Sequence, residues 1–178
     1  MSIRWKKIKE EEPIKVGFRK IIKKTFRMPD GEVENYHIKK EGPVAAVLAI
    51  TEDKKIILAR QFRPGCEKIL LELPGGGIDN NEYPVDGIKR ELLEETGYTG
   101  EFYLVNKAYK CAYSDTELHN FIALNCKQVK EPENEKTEFV EVVLLSLNEF
   151  EKHLLSGELT DMATGLVGLR YLKEKKLI

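Results

Sequence analysis

The sequence predicts an α+β chain: an αβα sandwich around a mixed β-sheet, preceded by an N-terminal β-hairpin extension. Residues 44–50, VAAVLAI, form a near-continuous apolar run of strand length, as expected of a central strand buried on both faces. Several more short runs rich in β-branched and aromatic residues follow it. Two or three helical stretches interrupt those runs in irregular order, which disfavours the strict alternation of a doubly wound fold.

Taken in order, VGFRKIIKKTFR (16–27) mixes β-formers with Lys and Arg, and the turn signal Pro29-Asp30-Gly31 comes next. EVENYHIKK then completes a hairpin with a polar exterior. A lone hairpin is marginal in water, so this one needs the main body or a second subunit to lean on. The main body opens at Gly42-Pro43. KIILAR (55–60), ILLEL (69–73), EFYLVNKAYK (101–110), ELHNFIALNC (117–126) and FVEVVLLS (139–146) read as strands. LNEFEKHLLSG (147–157) reads as a helix stopped by Gly157, and Thr160-Asp161 as the cap of a last helix running to about Lys175. KQVKEPENEKTE (127–138) is a polar, acidic loop.

The chain has 178 residues, enough for one compact domain with a core. It is 42% hydrophobic and 33% charged, the balance of a globular protein rather than a disordered one. A net charge of -1 argues against a nucleic-acid binder. The N-terminal lysines (Lys6, Lys7, Lys9, Lys15, Lys20, Lys23, Lys24) are interrupted by Glu10, Glu11 and Glu12 and read as a solvated face. Cys66, Cys111 and Cys126 are odd in number and lack CxxC spacing, which suits a reduced, cytoplasmic protein. His37, His119 and His153 are scattered without zinc spacing. No apolar run reaches membrane-spanning length, and MSIRWKKIKEEE lacks the apolar core of a signal peptide, so no membrane partner is expected.

The chemistry concentrates in GGGIDNNEYPVDGIKRELLEETGY (75–98). Pro84 suits the first turn of a helix and Gly97 its left-handed end. Val85, Ile88, Leu92 and Leu93 supply the apolar stripe. Glu91, Glu94 and Glu95 lie at i, i+3 and i+4 and share a face. Alone, that face is unfavourable: such pairs repel by roughly 0.2–0.5 kcal/mol each. Near the C-terminus each carboxylate also opposes the helix dipole by about 0.3–1 kcal/mol. Arg90, a single guanidinium, is expected to offset little of this. A hard divalent cation turns the same repulsion into coordination. The glycines of the preceding loop let backbone approach a ligand closely, and no Gly-Lys-Ser/Thr follows to make a P-loop.

These residues resemble the signature of the Nudix hydrolases. That signature is Gly, five residues, Glu, seven residues, Arg-Glu, an aliphatic residue, any residue, Glu-Glu, any residue, Gly and a final apolar residue. Here it falls on Gly76, Glu82, Arg90, Glu91, Leu92, Glu94, Glu95, Gly97 and Tyr98, the last being aromatic where an aliphatic residue is usual. GPVAAVLAI, ILARQFR, LLELPGGGID and the late SGELTDMATGLVGLRYL extend the likeness, to the ADP-ribose and nucleotide-sugar pyrophosphatase branch, over about residues 30–172.

The resemblance implies hydrolysis of a nucleoside diphosphate linked to another moiety, most simply ADP-ribose to AMP and ribose 5-phosphate, with Mg2+ or Mn2+. It makes Glu91, Glu94 and Glu95 and the carbonyl of Gly75 metal ligands, with Glu94 and Glu95 counted as catalytic. Gly76, Glu82, Arg90 and Gly97 hold the motif together. Arg60 and Arg63 are expected to meet substrate, since Arg suits bidentate phosphate contacts, and Glu72 resembles a position that contacts substrate or supports the metal loop. A general base is expected from the acidic loop, Glu135 first, then Glu138 and Glu133, with Glu131 also there. The branch also implies a homodimer built through residues 1–40, with 41–178 as the hydrolase domain; Trp5, Phe18 or Tyr36 are available to stack on a base. One departure is the stretch Cys111-Ala112-Tyr113-Ser114-Asp115-Thr116-Glu117, which lacks the Ser-Pro-Gly-like segment common in the branch. It leaves GDP-mannose, a dinucleoside polyphosphate or an oxidised nucleotide open as substrates, and a non-catalytic nucleotide-sensing module as the reading outside enzymology.

Overall fold

The computed structural model describes residues 3–133 and 139–178. They divide into two compact units. The first comprises the N-terminal residues through Pro43 together with Tyr109–Leu118; the second comprises Val44–Ala108 and His119–Ile178.

In the first unit, β1 (Lys6–Glu10), β2 (Ile14–Val16), β3 (Arg19–Arg27) and β4 (Val33–Lys39) form a four-stranded sheet. β3 is its centre, antiparallel to β1 and β2 on one edge and to β4 on the other. The expected hairpin is therefore one half of a larger sheet. Residues 16–27 are not one strand, because Gly17 takes φ 60° and turns the chain between β2 and β3. Lys-rich residues 6–10 are a strand rather than only a solvated face. Ile22 is buried, and Trp5, Phe26, Tyr36 and Tyr113 form an aromatic cluster in which Tyr36 stacks on Tyr113 at 6.3 Å.

The second unit holds β5 (Val44–Thr51), β6 (Lys55–Arg63), β7 (Lys68–Glu72), β8 (Gly75–Gly77), all but the end of β9 (Tyr98–Tyr109), all but the start of β10 (Glu117–Gln128), and β11 (Glu141–Ser146). Its three helices are α1 (Pro84–Thr96), α2 (Leu147–Leu154) and α3 (Met162–Glu174). The sheet runs β11-β6-β5-β10-β9, with β7 added to β6 and β8 to β5. Period-two alternation along β5 explains the sandwich. Ala45, Val47 and Ala49 pack with Ile88 and Leu92 of α1. Leu48 and Ile50 pack on the opposite face with Phe150 of α2 and Leu169 and Leu172 of α3. A fully buried Leu or Ile contributes roughly 1.5–3 kcal/mol of transfer free energy, so both faces hold the sheet. This is the expected αβα architecture. Among the described residues, no helix is long and apolar enough to cross a membrane.

Local signals set the helix ends. Pro84 begins α1, and Gly97 ends it at φ 75° with its amide on the Leu93 carbonyl. Ser146 and Glu149 form a capping box on α2, which ends at Leu154, ahead of Gly157. At α3 the expected cap is not made. Asp161 sits at the N-cap without a capping hydrogen bond, and the Thr160 hydroxyl is used elsewhere.

Candidate active site

The site is built on two neighbouring segments, β8 and the C-terminal half of α1. The glycine run is a strand rather than a loop. β8 pairs antiparallel with β5 in the register Val44↔Gly77, Ala45↔Gly76 and Ala46↔Gly75. Val47 donates to the Pro74 carbonyl at 3.0 Å. In an antiparallel ladder hydrogen-bonded pairs alternate with non-bonded ones. Gly75, one residue on, therefore turns both its N–H and its C=O away from β5. That N–H donates to the Glu95 carboxylate at 3.0 Å, so the Gly75 carbonyl opens to the same side. At Gly76 a Cβ would lie 2.4–2.7 Å from the Glu91 carboxylate, so only glycine lets Glu91 rest against the strand.

Arg90 organises the remaining carboxylates, contrary to the expectation that it would offset little. Its Nη1 donates to Glu91 at 2.9 Å and to Glu94 at 3.1 Å. Nε and Nη2 each reach the Glu82 carboxylate at 3.3 Å, and Nη2 reaches the Gly77 carbonyl at 3.2 Å. A planar fork of five N–H groups can serve several acceptors when they come from different directions. Glu82, on the loop before α1, supplies the direction that helix geometry alone does not. Its hydrogen bonds, followed by those of Glu91 and Glu94, push the Arg90 guanidinium further above its usual range. Arg90, with help from the Asp79 amide, holds the Glu82 carboxyl below its ordinary value.

The end of α1 is clamped by the segment that leads into the acidic loop. Val129 donates to the Gly97 carbonyl at 2.9 Å and Glu133 to the Glu94 carbonyl at 2.8 Å. A Cβ on Gly97 would sit 2.0 Å from the Lys130 carbonyl. Sequence reading did not find this clamp. The Glu133 carboxylate pairs with Lys130 at 2.6 Å, and Glu131 is exposed. Glu135 and Glu138, two of the candidate bases, lie outside the described residues.

The two arginines differ. Arg60 pairs with Glu141 at 3.2 Å on the surface. Arg63 donates through Nε to Glu72, which is 1% exposed, and the Thr160 hydroxyl donates to the other oxygen of Glu72. The sequence predicts a helix cap at Thr160-Asp161, and no local signal marks the partnership of Thr160 with a residue 88 positions earlier.

The profile of the NUDIX domain matches residues 40–162. The chain belongs to the Nudix family. It is 33% identical over 154 residues to an ADP-ribose pyrophosphatase of Bacillus subtilis, covering 85% of this chain and 83% of that one. It is 32% identical over 148 residues to a GDP-mannose pyrophosphatase of Salmonella typhimurium, covering 77% and 76%. A solved structure described as an ADP compounds hydrolase superposes with a TM-score of 0.85 at 17% identity over the whole of both chains, a likeness of fold.

Nudix hydrolases generally need a divalent metal ion. The residues fit one by their chemistry. Every donor at the corner is an oxygen, from Glu91, Glu94, Glu95 and the Gly75 carbonyl, the set a hard cation takes. Among the described residues no three acidic, His or Cys side chains are gathered closely enough to hold an ion as they stand. Arg90 holds Glu91 and Glu94, and the Gly75 amide holds Glu95. A cation at this face competes with Arg90 for the same oxygens.

Proposed function

We propose that this Nudix hydrolase cleaves the diphosphate of ADP-ribose to AMP and ribose 5-phosphate, using Mg2+ or Mn2+. The observation that carries the reading is the three-carboxylate face of α1 set against the outward-turned backbone of Gly75. The likeness to an ADP-ribose pyrophosphatase over 85% of the chain supports the substrate.

Glu91, Glu94, Glu95 and the Gly75 carbonyl hold the cation. When bound, it offsets the charge of the diphosphate and of the departing oxygen. Arg63 and Arg60 bind the diphosphate or the terminal ribose, and Glu72 keeps Arg63 in place. Water attacks one phosphorus, the bridging P–O bond breaks, and the water's proton passes to a carboxylate. We assign that carboxylate to Glu135, with Glu138 and Glu133 as the other candidates. Gly76, Glu82, Arg90 and Gly97 keep strand and helix in register.

The first unit, we propose, joins two copies. Ile14, Val16 and Phe18 are 67%, 67% and 83% exposed there, apolar surface that a homodimer would cover. Exposed, unpaired Cys66 and Cys111 suit the cytoplasm.

A second reading, hydrolysis of GDP-mannose, is favoured by the 32% identity to a GDP-mannose pyrophosphatase. A product assay separates the two. The protein is incubated with Mg2+ and ADP-ribose, GDP-mannose, other nucleotide sugars, diadenosine polyphosphates and nucleoside triphosphates, and products are identified by mass spectrometry. AMP with ribose 5-phosphate, formed fastest, supports the first reading. Preferred cleavage of another member of the panel replaces it.

A further inference from the structure

We infer that Thr160 is a positioning residue for Arg63, acting through the buried carboxylate of Glu72; this rests on the proposed hydrolase reading. Three separate segments meet at that carboxylate. Glu72 ends β7, Arg63 ends β6, and Thr160 lies just ahead of α3. Glu72 is 1% exposed, so each of its oxygens needs a donor inside the protein. Arg63 supplies one through Nε and Thr160 the other through its hydroxyl.

The choice of atoms matters. Arg63 spends Nε on Glu72. Among the described residues, nothing else engages its guanidinium, so both terminal nitrogens remain available. Its side chain is 37% exposed, enough to meet a ligand. The pair thus has a buried end that fixes the plane of the fork and an open end able to take a diphosphate bidentately. Thr160 decides how firmly the buried end is fixed. Its single proton goes to Glu72, although the Asp161 carboxylate lies 3.4 Å away and a cap for α3 was the ordinary use of that side chain. Without the hydroxyl, Glu72 keeps Arg63 as its sole donor among the described residues. The carboxylate is then free to rotate toward a two-nitrogen pair with the arginine. That rotation uses the nitrogens meant for the ligand. Glu72 also lies three residues before Gly75, so the arrangement stands at the entrance to the glycine strand.

The test is steady-state hydrolysis of ADP-ribose with Mg2+ by the full chain. Thr160→Val should raise KM about tenfold with kcat changed less than about threefold, an affinity loss of the size given by one charge-assisted contact. Thr160→Ser should restore the wild-type KM. In an Arg63→Ala background, Thr160→Val should add nothing further. An unchanged KM, a fall in kcat alone, failure of serine to rescue, or an undiminished Thr160→Val effect without Arg63 overturns the proposal. Thr160→Ala, which crowds nothing, replaces Thr160→Val if the latter does not fold. Loss of folding in both makes Thr160 structural and also overturns it. If the wild type cleaves no nucleotide sugar, the hydrolase reading fails on its own. The same variants are then titrated calorimetrically with inorganic pyrophosphate. The same tenfold weakening, serine rescue and dependence on Arg63 uphold the positioning role, and their absence ends it.

Discussion

Two sets of carboxylates stand close together along the chain and live in opposite surroundings. Glu91, Glu94 and Glu95 line a solvent-reachable face of α1 and share their charge with Arg90 and a backbone amide. Glu72 is sealed inside, with one arginine and one hydroxyl. The set on α1 is half-buried and can exchange partners: water, arginine or a cation can serve each oxygen in turn. The buried one cannot, because an unpaired charge in the interior has no water to fall back on. Neutralising an α1 glutamate should therefore damage chemistry and spare the fold. Neutralising Glu72 should damage the fold first.

The largest expected effect sharpens that contrast. Glu95→Gln should lower kcat by on the order of 10²–10³-fold, while the melting temperature shifts by no more than about 2 °C. Steady-state kinetics and a melting curve on the same sample check both halves. Unchanged turnover removes Glu95 from the mechanism. Next, Glu72→Ala should cost about 2–3 kcal/mol in urea unfolding, less than a wholly buried pair because Arg63 is partly in water. A variant as stable as the wild type would break the distinction. Third, Mg2+ at ten times its dissociation constant should raise stability by about 1.4 kcal/mol, since it binds the folded chain alone. That gain should shrink in Glu91→Gln.

The smallest effect concerns acid. Arg90 holds the Glu82 carboxyl below its ordinary 4.5, so the folded value is depressed. The contribution is fully present above that ordinary value and fades as pH falls through the folded one. Wild type should lose more melting temperature between about pH 5 and pH 3 than Arg90→Gln does. An equal loss in both proteins would show that Glu82 and Arg90 are not coupled.

Much of this architecture could be read without coordinates. VAAVLAI announced a doubly buried strand because both faces of β5 really are covered. The i, i+3, i+4 glutamates and their flanking Pro84 and Gly97 lie on one helix, where local spacing is a reliable guide. The failures have physical causes. β1 and β2 bury neither face, so no alternation betrays them. β8 has no side chains at all, and its pairing to β5 runs through backbone that leaves no hydrophobic pattern. Arg90 reaches three carboxylates only because Glu82 comes in from a loop. The pairing of Thr160 with Glu72 is set by tertiary packing, which no window of sequence contains.

That last pairing bears on how the protein is born. Translation releases Glu72 long before Thr160, 88 residues later. Until the final helix leaves the ribosome, the carboxylate lacks its second donor and the sheet lacks Leu169 and Leu172 on one face. A chain stopped short of residue 160 thus carries the whole glutamate helix and still cannot set its arginine. The signature is complete early, whereas the setting of Arg63 waits for the segment just ahead of α3.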